Sequence, residues 1–482
     1  MTLLDLKAIL PLVILAIAAV VLVLQLSITR RHSISLFLSL IGLIAAFLSL
    51  KESMALAPYS LSSLVLVDSY ALMFSGVIIA VAIVVCVMLY TYLSRREEHR
   101  EEMYPLLLLA TLGSVVLTMA GNFVTLILGL ETLTISLYVM IGYMRNNLDS
   151  LEAAVKYLIL AAASSAFLLF GMALIYAELG SMDFQVLALS LNTNMSYREL
   201  YLLIGSTFVI VGVGFKLGVV PFHMWTPDVY QGAPAPVTAF VATVSKTAVV
   251  ALLLRYMTHF GLSSNRTIVI ILGLIAVASM IAGNALALMQ SNLKRLLAYS
   301  SIAHLGYILV AIIVGGALAT EATVFYVLVY SFTTLGAFGL IGYVSDAENE
   351  LTSIDAYRGL FWRRPGIALV LAVMILSLAG IPLTAGFIGK FYLLDAGVSG
   401  EYWTLVIILA VASTIGLFYY LRVIAAMLAS GDSAVDGSSP VKMTALGTAV
   451  LTFITVVVIY LGIQPAGVLE LIHRMIFEFF TV

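Results

Sequence analysis

GFKLGVVPFHMWTPDVYQGAPAP, residues 214–236, places Lys216 in an apolar run just ahead of four of the chain's eleven prolines. In water this would be a surface loop. The remainder of the 482-residue chain points elsewhere: 62% of its residues are hydrophobic and only 10% are charged, against roughly 25% charged in soluble domains. Apolar runs of about 20 residues, enough to cross a hydrocarbon core of about 30 Å, recur from end to end and leave no stretch for a soluble domain. The expected fold is an all-α polytopic membrane protein.

Fourteen spans are expected, over 9–28, 34–50, 70–93, 104–121, 123–144, 151–178, 197–220, 236–258, 267–289, 294–316, 320–344, 366–396, 403–429 and 443–463. The first follows Lys7 and lacks a small-residue cleavage site before Thr29, Arg30 and Arg31, so it reads as a retained helix and not a signal peptide. Cys86 is the only cysteine, which excludes an intrachain disulfide and an iron–sulfur cluster held by this chain alone. The net charge of −2 carries no nucleic-acid footprint. SRREEHREE (94–102) and GDSAVDGSSP (431–440) read as solvated loops.

Counting Lys and Arg between alternate spans gives twelve on one side, Arg30, Arg95, Arg96, Arg100, Lys294, Arg295, Arg358 and Lys442 among them. The other side has six: Lys7, Lys51, Arg198, Arg255, Arg266 and Arg474. The positive-inside rule then places the Arg30 loop in the cytoplasm and both termini outside. Trp225, Trp362 and Trp403 fall near span ends or breaks, as interfacial indoles do.

Five of the 23 basic residues remain inside spans: Lys156, Lys216, Lys246, Lys390 and Arg422. Glu131 lies near the centre of its span, and His304 near the middle of another. Each lysine at a helix centre costs about 2.5–3.5 kcal/mol on insertion scales, so ionisable groups left there read first as functional. Lys156 and Arg422 lie close enough to span ends to snorkel. His304 serves equally well as a hydrogen-bonded core residue, as does His223 beside Pro221. Of the six histidines only these two approach the interior, at different depths, which disfavours paired haem ligation.

Pro221 interrupts span seven, and GIPLTAGFIGKF (380–391) interrupts span twelve. Each break carries a lysine, Lys216 before Pro221 and Lys390 after Pro382. Spans seven and twelve run in opposite directions, and paired interrupted helices in oppositely oriented halves point to an inverted repeat with ion-handling sites between the halves. Residues 104–258 (spans four to eight) and 267–429 (spans nine to thirteen) are the expected repeats. Residues 1–103, with helices one to three, precede them, and helix fourteen at 443–463 follows. Burial and a nearby carboxylate push a lysine's protonation in opposite directions, so charge pairs of this kind can switch protons. Glu131 with Lys216 is the expected pair, Lys246 the central relay and Lys390 the far end. Hydroxyls such as Ser164, Ser165, Thr243, Ser300, Ser301, Tyr307, Tyr326 and Tyr330 suit water chains or plain helix packing.

GFKLGVVPFHMWTPDVYQGAPAPV (214–237), SNLKRLLAYSSIAHLGYILVA (291–311) and LSLAGIPLTAGFIGKFYLL (376–394), with LEAAVKYLILAAASSAFLLFGMALIY (151–176) and YRGLFWRRP (357–365), resemble the antiporter-like subunits of respiratory complex I, the bacterial NADH:quinone oxidoreductase. The likeness runs from about residue 60 to the end of span fourteen. It implies two inverted five-helix repeats, broken helices seven and twelve, and a proton path in the membrane plane. The path residues it implies are Glu131, Lys216, Lys246 and Lys390, with Lys156 and His304 in the same chain. It further implies a hetero-oligomer in the bacterial inner membrane, with FMN, iron–sulfur clusters and quinone all in other subunits. The largest paralogue of the family continues into a lateral helix, for which the roughly 19 residues after span fourteen are too few; the M-type member typically has an acid where Lys390 stands. Both features are similar to the N-type branch, implying M-type and K-type subunits as neighbours. A multisubunit cation/proton antiporter and a hydrogenase- or ferredoxin-linked complex share these motifs, and a solute transporter or a purely structural subunit are the remaining alternatives.

Overall fold

Apolar length sets the architecture. In the computed structural model, twelve helices among the described residues are long and apolar enough to cross a bilayer, and the shorter apolar helices Met103–Thr118 and Pro365–Ala379 occupy the other two expected spans. The described residues are 2–95, 101–184, 186, 198–259, 262–345, 350–429 and 444–481. The loop expected at 431–440, the centre of the one at 94–102, and with them Arg96, Arg100 and Lys442, lie outside these residues.

The chain opens with α1 (Leu3–Ala8), α2 (Leu10–Ile28) and α3 (His32–Met54), then a hairpin of β1 (Tyr59–Leu61) and β2 (Val65–Val67). There follow α4 (Ser69–Leu93), α5 (Met103–Thr118), α6 (Phe123–Ile141), α7 (Leu148–Leu179), α8 (Arg198–Leu217) and the short α9 (Trp225–Gly232). Next come α10 (Ala235–Phe240), a π-helical turn (Val241–Ser245) and α11 (Lys246–His259) as one continuous span. The second half holds α12 (Arg266–Leu288), α13 (Leu293–Val314), α14 (Gly316–Val344), α15 (Leu360–Arg363), α16 (Pro365–Ala379), α17 (Ala385–Ser399) and α18 (Trp403–Leu428). Two helices close the chain, α19 (Ala445–Ile463) and α20 (Ala466–Thr481).

The all-α expectation holds apart from the antiparallel hairpin, which pairs Tyr59 with Val67 and is fixed to the end of α5 by the Leu66 amide on the Met119 carbonyl. Helix α20 is a second addition. Its Phe479 stacks on Tyr70 at 4.6 Å, Glu478 accepts from Ser69, and His473 meets Glu321 at 2.7 Å, tying the chain end to α4 and α14.

Burial separates a core from a rim. The α10–α11 span is wholly buried and α13 and α14 nearly so, whereas only 22% of α2 is covered. Rim helices expose Ile17, Phe170 and Phe418 to the surroundings. With lipid on the outside, packing between helices depends on close backbone approach. At the α7–α8 crossing a side chain on Gly171 would lie 2.6 Å from the Gly205 carbonyl oxygen, so only glycine fits.

Two cations that the sequence count places in loops are instead wholly buried. Arg255, near the end of α11, makes a bidentate pair with Asp68 at 2.8 Å and 2.8 Å, and Asp68 also caps α4 through the Ala71 amide. Lys294, at the start of α13, donates to Glu350 at 2.6 Å and to the Ala233 carbonyl at 2.6 Å. Glu350 in turn accepts from the Ala235 amide and the Tyr92 hydroxyl, both at 2.8 Å, and so joins α4, α10 and α13 at one carboxylate. Each pair is held by several hydrogen bonds, the condition under which buried ions are tolerated, although Arg255 Nε has no partner among the described residues.

Removing one member of such a pair strands the other, so Lys294→Ala is expected to cost about 3–5 kcal/mol, read as lower thermal stability of the purified protein or less chain in membranes. Burial raises the Glu350 carboxyl, but Lys294, the Ala235 amide and Tyr92 outweigh it and hold it below the ordinary value of 4.5. A depressed carboxylate contributes stability that is present above its unfolded value and is lost as pH falls through the folded one. Melting temperature should therefore fall on acidification below 4.5, and Glu350→Gln should flatten that part of the profile; an unchanged slope would refute the assignment.

Candidate functional site

The first of the two expected breaks lies between α8 and α9. Gly218 adopts φ +76°, and the turn through Pro221 leaves the Lys216 and Leu217 carbonyls at the end of α8 without amide partners among the described residues. Both acquire a side-chain donor, and the Phe215 carbonyl, which already accepts from the Gly218 amide, gains one as its second donor. Lys246 Nζ donates to the Lys216 and Leu217 carbonyls at 2.8 Å and 2.6 Å, and Trp225 Nε1 donates to the Phe215 carbonyl at 2.9 Å. The Lys246 ammonium also lies 4.4 Å from the Trp225 ring centroid. A helix C-terminus carries partial negative charge, and a ring face attracts cations, so this lysine has a berth containing no carboxylate. Trp225 is thus no interfacial anchor: it is buried, and it closes the break.

The second break repeats the device with different residues. Gly380 ends α16 at φ +82°, and Lys390 on α17 folds back to donate to the Ala379 carbonyl and the Ser413 hydroxyl, both at 2.9 Å. At each break an ammonium with three N–H donors uses two on the protein and retains one. The π-turn immediately before Lys246, which no feature of the sequence announces, inserts a residue into a helical ladder; such bulges concentrate at functional sites.

Lys216 is buried and donates to Thr134 at 2.8 Å. The expected Lys216–Glu131 ion pair is not formed at contact distance among the described residues: Glu131, one turn before Thr134 on α6, is partly exposed and accepts from Ser165 at 2.7 Å. The hydroxyls of Thr134 and Ser165 are the shorter partners, and each takes one charge. Lys156 lies apart from both. It is 43% exposed and pairs with Glu152 at 2.6 Å and Asp228 at 2.8 Å, and Asp228 also binds Arg295 at 2.8 Å. These residues line a cleft of about 220 Å³ that also holds Asp149 and Gln231. Inward of it, Tyr157 packs on Trp225 at 4.8 Å, with Lys216 Nζ 5.8 Å from the Tyr157 ring.

His304 occupies the interior between the two breaks. Its Nδ1 meets the Tyr326 hydroxyl at 2.7 Å and its Nε2 the Tyr420 hydroxyl at 3.0 Å, while Tyr420 also bonds Ser300. Toward the first half, Tyr330 donates to Ser301 at 2.6 Å and Tyr230 of α9 reaches the same oxygen at 3.3 Å. Thr247 and Ser331, the residues after Lys246 and Tyr330, meet at 3.1 Å. Toward Lys390, Tyr307 lies under the ammonium at 5.6 Å and accepts from Asn284, whose oxygen accepts from Tyr419. Tyr230, Asn284, Tyr419, Tyr420, Ser413 and Asp228 are participants that the sequence alone does not single out. Asp228 and Tyr230 lie inside the quoted stretch, and of the six only Asp228 carries a visible signal, its charge. Arg422 is exposed and reaches the Leu288 and Gln290 carbonyls at the end of α12, the snorkelled placement. His223 is partly buried in the first break, and no group of three metal-ligating side chains occurs among the described residues.

Residues 120–416 match the family described as NADH:quinone oxidoreductase/Mrp antiporter, transmembrane. Among solved structures, a chain of respiratory complex I from Thermus thermophilus with bound aureothin superposes with a TM-score of 0.81 at 30% identity, covering 95% of this chain and 98% of that one. A chain of the archaeal membrane-bound sulfane sulfur reductase gives 0.85 at 24% identity over 98% of each chain. A chain of the Mrp complex from Dietzia sp. gives 0.85 at 18% identity over 99% and 97%; these last two likenesses are of fold alone. The family match spans both broken helices and every buried lysine described above, and this chain is therefore a member of the NADH:quinone oxidoreductase/Mrp antiporter transmembrane family, an antiporter-like subunit of the complex I type.

Proposed function

We propose that the chain is the N-type proton-translocating subunit of a bacterial respiratory NADH:quinone oxidoreductase, in the inner membrane with both termini outside. Residues 104–258 and 267–429 act as inverted half-units. The observation that carries the proposal is the matched pair of breaks at which Lys246 and Lys390 cap freed carbonyls and each keep one N–H for transfer. A proton leaving that N–H passes to a water or hydroxyl and leaves a neutral amine, which recovers a proton from the preceding member. The order runs from Glu131 and Lys216 to Lys246, through the Tyr230–Ser301–Tyr330 hydroxyls to His304, and on to Lys390, with Lys156 and Asp228 at an aqueous mouth. Energy comes from quinone reduction elsewhere, with FMN and iron–sulfur clusters in other subunits.

Exposed apolar residues in the irregular segments at the breaks support a hetero-oligomer. Met224 and Leu383 are 70% and 73% exposed, and irregular backbone at membrane depth persists only under protein cover or beside water. M-type and K-type subunits are the expected cover. A tagged chain that co-purifies with NADH-oxidising, flavin-containing subunits supports this assignment; one that returns only a cation/proton exchange assembly without flavin replaces it with the antiporter alternative.

Lys246→Met is expected to leave assembly intact and to lower proton translocation per quinone reduced by about tenfold or more, measured in reconstituted vesicles. Normal pumping in that variant would reduce the chain to a scaffold. At the second break, a side chain on Gly380 would lie 2.8 Å from Lys390 Cδ and 3.2 Å from Nζ. Gly380→Ala should therefore displace the ammonium and add about 1–2 kcal/mol of left-handed strain, depressing pumping more than expression; equal losses in both would show that Gly380 serves folding alone.

A further inference from the structure

A second cleft, of about 430 Å³, mostly apolar but bearing two arginines, lies outside the lysine path, on the side where the Lys- and Arg-rich loops gather. Arg358 and Arg422 line it, with Gln290, Ser291 and Asp355 and an apolar wall of Ala425 and Ala426 on α18 and Ala429 just past its end. Arg422 bonds the Leu288 and Gln290 carbonyls through one nitrogen each, leaving three of its five N–H groups available. Arg358 is 54% exposed, and its contact with Asp355 is long, 3.9 Å, so that carboxylate does not saturate it. Arg363 donates to the Arg358 carbonyl at 2.6 Å and so braces the backbone that carries Arg358.

The apolar surface below the cleft has a definite length. Phe418, Leu421, Ala425 and Leu428 form one exposed stripe on α18 at spacings of three and four, and Ile281 of α12 and Met289 just past its end are exposed beside it, α12 being packed against α18. From Leu428 to Phe418 the stripe descends about 15 Å, half of the roughly 30 Å hydrocarbon core and so the depth of one leaflet. At its upper end Trp362 is 68% exposed, with Nε1 fixed to the Leu428 carbonyl, the headgroup-level position an indole prefers.

We propose that this cleft is a binding site for an anionic phospholipid: Arg358 and Arg422 hold the headgroup phosphate and the α18 stripe takes an acyl chain. Basic pockets between membrane helices on the cytoplasmic side bind such headgroups. The paired arginines at the head of the groove, the leaflet-length stripe and the interfacial indole together favour a lipid over a protein partner.

The test uses the assembled complex in nanodiscs of phosphatidylcholine doped with a trace of photoreactive phosphatidylglycerol or, in parallel, photoreactive phosphatidylcholine. Crosslinks concentrated on residues 281–289 and 418–429 for the anionic lipid, and several-fold weaker for the zwitterionic one, are expected. At about 1 kcal/mol per basic residue, Arg358→Gln with Arg422→Gln should weaken retention about thirtyfold, and the double lysine variant should keep most of it. Because Arg422 also caps α12, Arg358→Gln alone is the control for folding and should still lower labelling severalfold. Equal labelling by both lipids would overturn the proposal, as would crosslinks from these segments to a neighbouring subunit in place of lipid.

Discussion

A carbonyl released from a helix inside a membrane finds no water to replace its lost partner, and in this chain lysine ammonium groups answer that demand. Both interrupted helices depend on it. At the first, Lys246 reaches from the following helix to the Lys216 and Leu217 oxygens; at the second, Lys390 reaches back from the half-helix beyond the break to the Ala379 oxygen. The same contact solves two problems. The open backbone gains donors, and a charge that would cost several kcal/mol in hydrocarbon gains a partially negative berth.

Such a berth differs from an ion pair in a way that matters for transfer. Two carboxylate oxygens would fix the charge on the lysine, whereas neutral carbonyls and a serine hydroxyl hold the ammonium by hydrogen bonds that a neutral amine can keep to some extent. The formal ion pairs of the interior are placed elsewhere. Asp68–Arg255 ties the start of α4 to α11, Lys294 and Glu350 together bind the Ala233 carbonyl and the Ala235 amide at the start of α10, and Asp228 is held between Lys156 and Arg295 at the cleft. Rigid charge pairs at the ends and loosely held cations in the middle form a division that keeps the breaks in register while leaving one N–H of each lysine uncommitted.

Much of this is legible in the residues alone. Composition specifies a polytopic helical protein, the two Gly/Pro interruptions mark the broken helices, and the lysines stand out against their apolar neighbours. What misleads is one-dimensional distance. Arg255 and Lys294 lie close to span ends, where loops are expected, yet both are wholly buried because Asp68 and Glu350, 187 and 56 residues away in sequence, fold onto them. Trp225 has the position of an interfacial indole and instead caps a carbonyl ten residues earlier. Glu131 and Lys216 have the spacing and charge of a pair and take separate hydroxyls.

The sequence by itself determined the number and length of apolar crossings, the positions of the breaks and the identity of the ionisable groups, because hydrophobic length and the missing proline N–H act locally. Tertiary structure alone decided which oxygen each ammonium meets, the π-turn before Lys246, and the hydroxyl route from Tyr230 to His304 and Tyr420. Those depend on which helices approach closely enough for side chains from distant segments of the chain to share a hydrogen bond, and helix packing in lipid turns on shape and small-residue contacts that carry no local signature.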